Sequence, residues 1–292
     1  MITTASSPTV ALRRLEWDSL HFGVPVAELP SPDMKDEDLR SVLTAARAEG
    51  LHLVYWASHR ERILPADLLV EFHGLAVNHR VKFVAPLANL EPRPSGSGVI
   101  AEGDVISARL WRDAPRRDSR RGASCHNEAS PSYIVGELPR GSASRELLQL
   151  SIVAGGHSRF QIDPRIPADK FRELYEVWMN RSTLHELADV VLVATPPDAP
   201  DDFVGVITLS ETAGAGQIGL LAVHENHRGR GVATLLMTAA HDWLRRRGAT
   251  EMSVVTQLEN RAACGLYSRW NCETVEVRHW FHFWPQAAEE ER

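Results

Sequence analysis

The sequence of 292 residues has no basic excess, no long apolar run and few cysteines. Its formal net charge of −6 argues against a nucleic-acid-binding protein, because such proteins carry a strong excess of lysine and arginine. No stretch approaches the roughly 18 consecutive apolar residues that indicate a transmembrane helix. We therefore expect neither a nucleic acid nor a membrane as a partner.

The cysteines Cys125, Cys264 and Cys272 form no C-x-x-C pair. This pattern favours a reduced, cytoplasmic protein, because stable disulfides belong mainly to oxidising compartments. The N-terminal residues also lack the charged start and apolar run of a signal peptide. Because the histidines are scattered without the spacing of a metal site, we expect no bound metal.

The chain is long enough for two domains, and its hydrophobic fraction of 43% can supply a sizeable core. We predict a smaller N-terminal α/β domain over residues 1–150 and a second domain over residues 151–292. The stretch from about 91 to 132 is rich in Pro, Gly, Ser and Arg, which is typical of a loop. A solvated loop explains its arginines better than a phosphate contact does.

Hydrophobic periodicity predicts the secondary structure of the remaining chain. Predicted helices cover residues 36–49, 145–154, 167–179 and 231–247, and predicted strands cover residues 51–56, 77–85, 190–194, 203–210, 217–223, 250–256 and 275–284. The last of these strands is apolar on both faces, with Val275, Val277, Phe281 and Phe283 on one and Trp280 and Trp284 on the other. It should contact the N-terminal domain, a helix or a second subunit of a homodimer, and a helix is the simplest cover.

Residues 217–234, QIGLLAVHENHRGRGVAT, are the most informative stretch. They predict a buried strand, a short polar loop and the glycine-rich start of an amphipathic helix. The first turn of a helix has free N–H groups and the positive end of the helix dipole. Glycines let such a backbone approach a phosphate closely, so we expect this segment to bind a pyrophosphate.

The common nucleotide motifs are absent, since no G-x-x-x-x-G-K-[ST] occurs and no G-x-G-x-x-G follows the strand. The loop instead matches R-x-x-G-x-A through Arg228, Gly231 and Ala233. Downstream, Asn260 and Tyr267 lie in a segment that matches N-x-x-A-x-x-L-Y. This series resembles the GNAT N-acetyltransferases. An ordinary strand–turn–helix is the alternative, but it would not explain all of these segments in this order.

The resemblance implies a mixed α+β GNAT fold that takes acetyl-CoA as co-substrate. The strand would pair with the pantetheine arm, and its amides would polarise the thioester carbonyl. The loop amides and one of the two arginines would hold the pyrophosphate. The residues expected to bind acetyl-CoA are Leu221, Ala222, Val223, Arg228, Gly229, Arg230, Gly231, Val232, Ala233, Thr234 and Asn260.

Tyr267 is the expected general acid, because the resemblance implies a tyrosine hydroxyl near the CoA sulfur and a phenol can protonate a thiolate. The alternative is that Tyr267 only packs in its helix, just as Asn260 could cap that helix instead of binding pantetheine. The general base stays open. Candidates are His185, Asp189, Glu211, His224, Glu225, His227 and a chain of waters.

Three further segments resemble the acetyltransferases of TDP-linked aminodeoxy sugars, the TDP-fucosamine acetyltransferase group. They are L-x-W-D-S-x-x-F-G at residues 15–23, S-R-F-x-x-D-P at residues 158–164 and L-Y-x-x-W-x-x-x-S at residues 174–182. Within them, Asp18 and Ser19 are expected to cap or turn the backbone, and Asp163 to prepare the following helix. The resemblance implies a nucleotide-linked amino sugar as acceptor, held between the two domains.

Two other functions remain open from the sequence. The acceptor could be a different amine, on a small molecule, an antibiotic or a protein. A non-catalytic sensor of acyl-CoA could also keep the loop at residues 228–233, although it would not need Tyr267.

Overall fold

The computed structural model describes residues 12–89 and 133–286, which form ten strands and eight α-helices. The strands are β1 (Arg13–Arg14), β2 (Val26–Leu29), β3 (Leu53–His59), β4 (Leu75–Pro86), β5 (Ile134–Glu137), β6 (Val190–Thr195), β7 (Gly205–Thr212), β8 (Ala215–Val223), β9 (Glu251–Gln257) and β10 (Glu273–Phe283). The helices are α1 (Glu16–Phe22), α2 (Asp36–Ala48), α3 (Ala66–Glu71), α4 (Arg145–Ala154), α5 (Arg159–Ile162), α6 (Ala168–Thr183), α7 (Val232–Arg246) and α8 (Arg261–Arg269).

All ten strands belong to one mixed sheet, in the order β1–β2–β3–β10–β4–β9–β8–β7–β6–β5. Strand β4, from the first half of the chain, lies between β9 and β10 from the second half and pairs antiparallel with both. The domain boundary near residue 150 stays a prediction, but the strands on its two sides share one sheet.

Helices cover both faces of the sheet in the second half. Val232, Leu236 and Leu244 of α7 pack on one face, where they form a core with Ile207 and Ile218. Helices α4 and α6 pack on the opposite face against side chains of β6, β7 and β8. The side chains alternate along these strands because successive residues of a strand point to opposite faces.

The helix ends follow the local sequence signals. Ser144 caps α4 by accepting a hydrogen bond from the Leu147 amide at 3.4 Å. Gly50 follows α2 with a φ of +73°, a left-handed conformation that glycine adopts without a Cβ penalty. Asp163 fixes the turn before α6, since its Oδ1 accepts a hydrogen bond from the Arg165 amide at 3.0 Å.

Two local expectations were wrong. Asp18 and Ser19 lie inside α1 rather than at its cap; the Ser19 hydroxyl donates to the Leu15 carbonyl and accepts from the Val26 amide, which ties α1 to β2. Val275 is exposed instead of covered, because only the later part of β10 enters the core. There, Phe281 packs in the same core as α2, as the apolar pattern predicted.

Two predicted features fall outside the described residues: the loop at about 91–132 and Cys125, which lies within it. Within the described ranges, no helix has the length and apolarity needed to cross a membrane.

Candidate active site

A bulge in β8 marks the centre of the candidate site. Its pairing with β7 runs Ile207↔Leu221 and then Leu209↔Ile218, so β8 has one extra residue there. Thr208 stabilises the bulge by accepting the Leu220 amide on its Oγ1 at 2.8 Å. Glycine is required at position 219, because a Cβ would come within 2.8 Å of that same Oγ1.

Strands β8 and β9 separate at the bulge. Their parallel pairing extends only from Ala215↔Glu251 to Ile218↔Val254. Beyond Ile218, the edge of β8 that faces β9 therefore has no strand partner among the described residues. A strand edge without a partner presents N–H and C=O groups that an extended ligand can pair with.

The orientation of the β8 amides shows which of residues 221–223 can donate to acetyl-CoA, as the sequence predicted for this strand. The His224 amide donates to the Val204 carbonyl of the chain leading into β7, at 2.8 Å. Alternation along an antiparallel ladder then directs the Ala222 amide toward β7 as well. The amides of Leu221 and Val223 point the other way, into the opening between β8 and β9.

The loop after β8 has the geometry expected of an anion-binding helix start. Gly229 and Gly231 have φ values of +73° and +83°, and a Cβ at either position would strain the backbone without touching a neighbour. Gly231 is the N-cap of α7 and has no side chain to accept the first amides of the helix. Val232 is buried and anchors this turn in the core, whereas Thr234 is exposed.

The two loop arginines differ in their surroundings. Arg228 donates from Nε to the Val223 carbonyl at 3.1 Å, which ties the loop back to the end of β8. Arg230 is exposed and makes no ion pair with any residue that the structure describes. Arg228 therefore stabilises the loop in addition to its predicted role in binding the pyrophosphate. For Arg230, pyrophosphate binding is the only role that we assign.

A cavity of about 330 Å³ occupies the opening between β8 and β9. Its walls include Gly219, Leu220 and Leu221 of β8 and Val255, Thr256 and Gln257 of β9. Both halves of the chain contribute to it, since Asn78 and Arg80 come from β4 and Trp280 comes from β10. Residues from α5 and α6, including Arg159 and Trp178, complete the walls.

Tyr267 borders this cavity from α8 and is 3% exposed. Its ring packs against Phe83 with 5.7 Å between the ring centres. Burial raises the pKa of Tyr267 well above that of a free phenol, and the neighbouring thiols of Cys272 and Cys264 add to the effect. A free phenol is also protonated at neutral pH, so Tyr267 is in the state that a proton donor requires, and the raised pKa makes it a weaker acid than a free phenol.

Asn260 borders the cavity and also caps α8, where its Oδ1 accepts the Ala263 amide at 3.2 Å. The two interpretations of this residue are compatible, because an amide side chain that accepts through oxygen still has its NH₂ group to donate.

The candidate bases are not brought to the cavity. Asp189 and Glu211 accept backbone amides at the far end of β7, and His224 caps a short turn. His227 pairs instead with the Tyr133 hydroxyl at 2.9 Å. The residues that border the cavity include no histidine or carboxylate within the described part of the chain.

A buried polar cluster lies beside the cavity. Asp163 is 1% exposed and accepts from His282 Nδ1 at 2.8 Å and from Trp284 Nε1 at 2.9 Å. Burial opposes the ionisation of Asp163, but these hydrogen bonds outweigh it and lower its pKa. Burial also lowers the pKa of His282 to about 4, so this ring is neutral at pH 7. No group of three or more potential ligands among residues 12–89 and 133–286 is arranged to hold a metal ion.

Sequence reasoning missed the cavity residues that come from distant segments. Arg159 was included only as part of a block shared with relatives, and Trp280 only as one face of a strand. A lone arginine followed by phenylalanine, in a short segment before α6, was the available signal for Arg159. Two of its three aromatic neighbours could not be inferred, because Tyr55 and Trp280 come from β3 and β10.

Comparisons with known proteins agree with this geometry. Residues 161–271 match the acetyltransferase (GNAT) family. The chain is 31% identical over 102 residues to N-alpha-acetyltransferase 30 of Schizosaccharomyces pombe, covering 33% of this chain and 66% of the relative. It is 30% identical over 137 residues to dTDP-fucosamine acetyltransferase of Escherichia coli, covering 47% and 57% respectively. The chain thus spans less than two thirds of the length of these relatives.

A solved structure shares the fold. A GCN5-related N-acetyltransferase from Sphaerobacter thermophilus matches with a TM-score of 0.51 and 17% identity, over 88% of this chain and 72% of the other. The predicted α+β GNAT fold is confirmed. The matched segment is similar to the GNAT family, and the relatives support an acetyltransferase.

Proposed function

We propose that this chain transfers the acetyl group of acetyl-CoA to the amine of a nucleotide-linked, TDP-type amino-deoxy sugar, by direct attack in a ternary complex. The observation that carries the proposal is the cavity at the separation of β8 and β9, with walls from both halves of the chain. The relative named dTDP-fucosamine acetyltransferase supports the choice of acceptor.

Acetyl-CoA would enter along the open edge of β8. The pantetheine arm would pair with that edge through the amide of Val223, and the amide of Leu221 would donate to the thioester oxygen as negative charge develops there. The pyrophosphate would lie at the start of α7, where the amides of residues 229–234 are close to exposed Arg230. Arg228 would support this loop through its contact with Val223.

The acceptor amine would approach the thioester carbon from the side of the cavity that β4, α5 and β10 form. Its nitrogen forms the new C–N bond as the C–S bond breaks, and Tyr267 gives its proton to the departing thiolate. The ammonium proton leaves through water, because no histidine or carboxylate borders the cavity in the described residues. That water chain returns a proton to Tyr267.

A protein N-terminus is the second candidate acceptor, because one relative is named N-alpha-acetyltransferase 30. The two acceptors differ in what the enzyme must recognise. A nucleotide sugar offers a diphosphate and a base beyond its amine, whereas a peptide offers an extended backbone.

Release of free CoA thiol tests the proposal. The acceptors are TDP-4-amino-4,6-dideoxygalactose, the free amino sugar and a short peptide with a free N-terminus. We expect the nucleotide-linked sugar to have the highest kcat/KM, because binding the nucleotide orients the amine. Equal kcat/KM for the free sugar, or a higher value for the peptide, would refute the proposed acceptor.

A further inference from the structure

Arg159 lies in a box of aromatic rings at the wall of the cavity. Its guanidinium carbon is 4.6 Å from the ring centre of Tyr55, 4.3 Å from that of Phe160 and 4.2 Å from that of Trp280. Aromatic faces stabilise a cation, but they accept no conventional hydrogen bond from its N–H groups. The box therefore holds the charge in place and leaves its donors available.

Two donors in this box are buried without an acceptor. Arg159 Nε and Trp280 Nε1 have no hydrogen-bond partner in the described residues. Both atoms can only donate, so a rotation or a different tautomer cannot satisfy them. A buried donor without a partner destabilises the protein, because it has given up its hydrogen bonds to water and gained none in return. An acceptor oxygen supplied from the cavity would remove that penalty at both atoms.

The charge of Arg159 is also not balanced by an ion pair. No carboxylate in residues 12–89 or 133–286 lies within ion-pair distance of it, although Asp18 acts on it electrostatically. The other arginine at the cavity, Arg80, already pairs with Glu276 at 3.0 Å. Arg159 is therefore the cation at this wall that an anion can reach.

We infer that Arg159 and Trp280 form a subsite for an anionic group of the acceptor, with one oxygen or two geminal oxygens accepting from both side chains. The inference rests on the proposed function, in that the acceptor occupies this cavity. A phosphate and a carboxylate both supply anionic oxygens that can accept these hydrogen bonds. The source would be the diphosphate of a nucleotide sugar or the carboxylate of a smaller amine.

Calorimetry on the full chain saturated with CoA tests the subsite. TDP is the probe for a phosphate source, and N-acetylglycine is the probe for a carboxylate source. We expect Arg159→Gln to raise the Kd of one of these two ligands by roughly 10- to 100-fold, the range expected for loss of a charged hydrogen bond. Trp280→Phe keeps an aromatic ring without the N–H, and should weaken the same ligand by a few-fold. The Kd for CoA should stay within about twofold in both variants.

The matched control is Arg172→Gln, which removes an exposed arginine of α6 away from the cavity lining. Arg159→Lys replaces Arg159→Gln in this test if the glutamine variant fails to fold. It keeps the positive charge but loses the planar guanidinium that can donate two parallel hydrogen bonds, so its affinity for the probe should lie between wild type and complete loss. The subsite is disproved if wild-type protein binds neither probe, or if the Arg159 and Trp280 variants bind as wild type does. Arg159-dependent binding without any acetyl transfer would instead refute the acceptor class and leave the subsite standing.

Discussion

At the residue scale, Tyr267 combines the features of a proton donor. It borders the cavity, and its buried hydroxyl is protonated at neutral pH, as that of a free phenol also is. Buried tyrosines also occur for packing alone, and its contact with Phe83 is of that kind. Removing only the hydroxyl separates the two roles, because the packing of the ring remains.

We predict that Tyr267→Phe lowers kcat by roughly 100-fold or more, the usual contribution of general-acid catalysis. The Kd for acetyl-CoA should change little. Single-turnover kinetics measures the chemical step, and Tyr133→Phe is the control because it removes a hydroxyl bonded to His227 outside the cavity. A Tyr267→Phe enzyme with wild-type single-turnover rates would return the residue to a packing role.

The buried pair of Asp163 and His282 should make stability depend on pH. The pKa of His282 is lowered to about 4 in the folded protein, below its ordinary 6.5. Between these values the unfolded chain binds more protons, so stability is retained above about pH 6.5 and falls as the pH falls toward 4. The lowered pKa of Asp163 acts in the same direction, and its contribution is lost as the pH falls through the folded value.

His282→Asn should therefore reduce the difference between the free energies of unfolding at pH 7 and pH 4.5. Urea denaturation at the two pH values measures this difference. His157→Asn is the control, because His157 is exposed and its side chain should have a smaller effect on the pH dependence. The same pH dependence in His282→Asn and wild type would contradict the assignment of this pair.

Single residues were predictable where their role is local. The glycines at 229 and 231 were identified because a tight turn before a helix selects glycine within a few residues of sequence. Arg159 was not, because its environment depends on β3 and β10, which are about 100 residues away on either side in the chain. The contact between Asp163 and His282 could not be predicted for the same reason, since 119 positions separate the two residues in the chain.

At the element scale, the predicted pyrophosphate site depends on the start of α7. Gly231 has a positive φ and open space around it, so an added side chain would extend into the space at the start of α7 where we expect the pyrophosphate. We predict that Gly231→Asp weakens acetyl-CoA binding by at least about tenfold, or 1.4 kcal/mol, through charge repulsion at the helix start. Calorimetry with acetyl-CoA measures the effect.

Gly248 provides a matched control at the other end of α7. It has a φ of +79° and no neighbour near its Cβ position, so Gly248→Asp imposes comparable backbone strain. Its effect should appear in the melting temperature and leave acetyl-CoA affinity near wild type. If both aspartate variants bind acetyl-CoA alike, the pyrophosphate does not lie at Gly231.

At the scale of the whole molecule, the elements were predictable but their arrangement was not. Helix α4 was predicted with its observed ends, and β4 and β8 within about two residues, because periodicity and capping are local properties. The position of β4 between β9 and β10 is a long-range pairing that no local pattern encodes. This pairing brings Asn78 and Arg80 to the cavity, so part of the site escaped prediction for the same reason.

The insertion of β4 also predicts that the second half of the chain does not fold alone. Without residues 1–89, strand β9 loses its partner on one edge, and β10 loses both neighbours, β3 and β4. The buried side chains of Phe281 and Phe283 would also lose the core that α2 and α3 complete. Exposed apolar strand edges of this kind favour aggregation over folding.

We therefore expect a fragment of residues 133–292 to be insoluble or to show no cooperative thermal transition, while a chain of residues 12–292 melts near wild type. Circular dichroism and size-exclusion chromatography measure both properties. Adding residues 12–89 in trans should restore a cooperative transition if the missing strand is the cause. A monomeric 133–292 fragment that melts cooperatively and binds acetyl-CoA would contradict this prediction. The sheet of the second half would then be stable without β4, and the first half would contribute only to the acceptor side of the cavity.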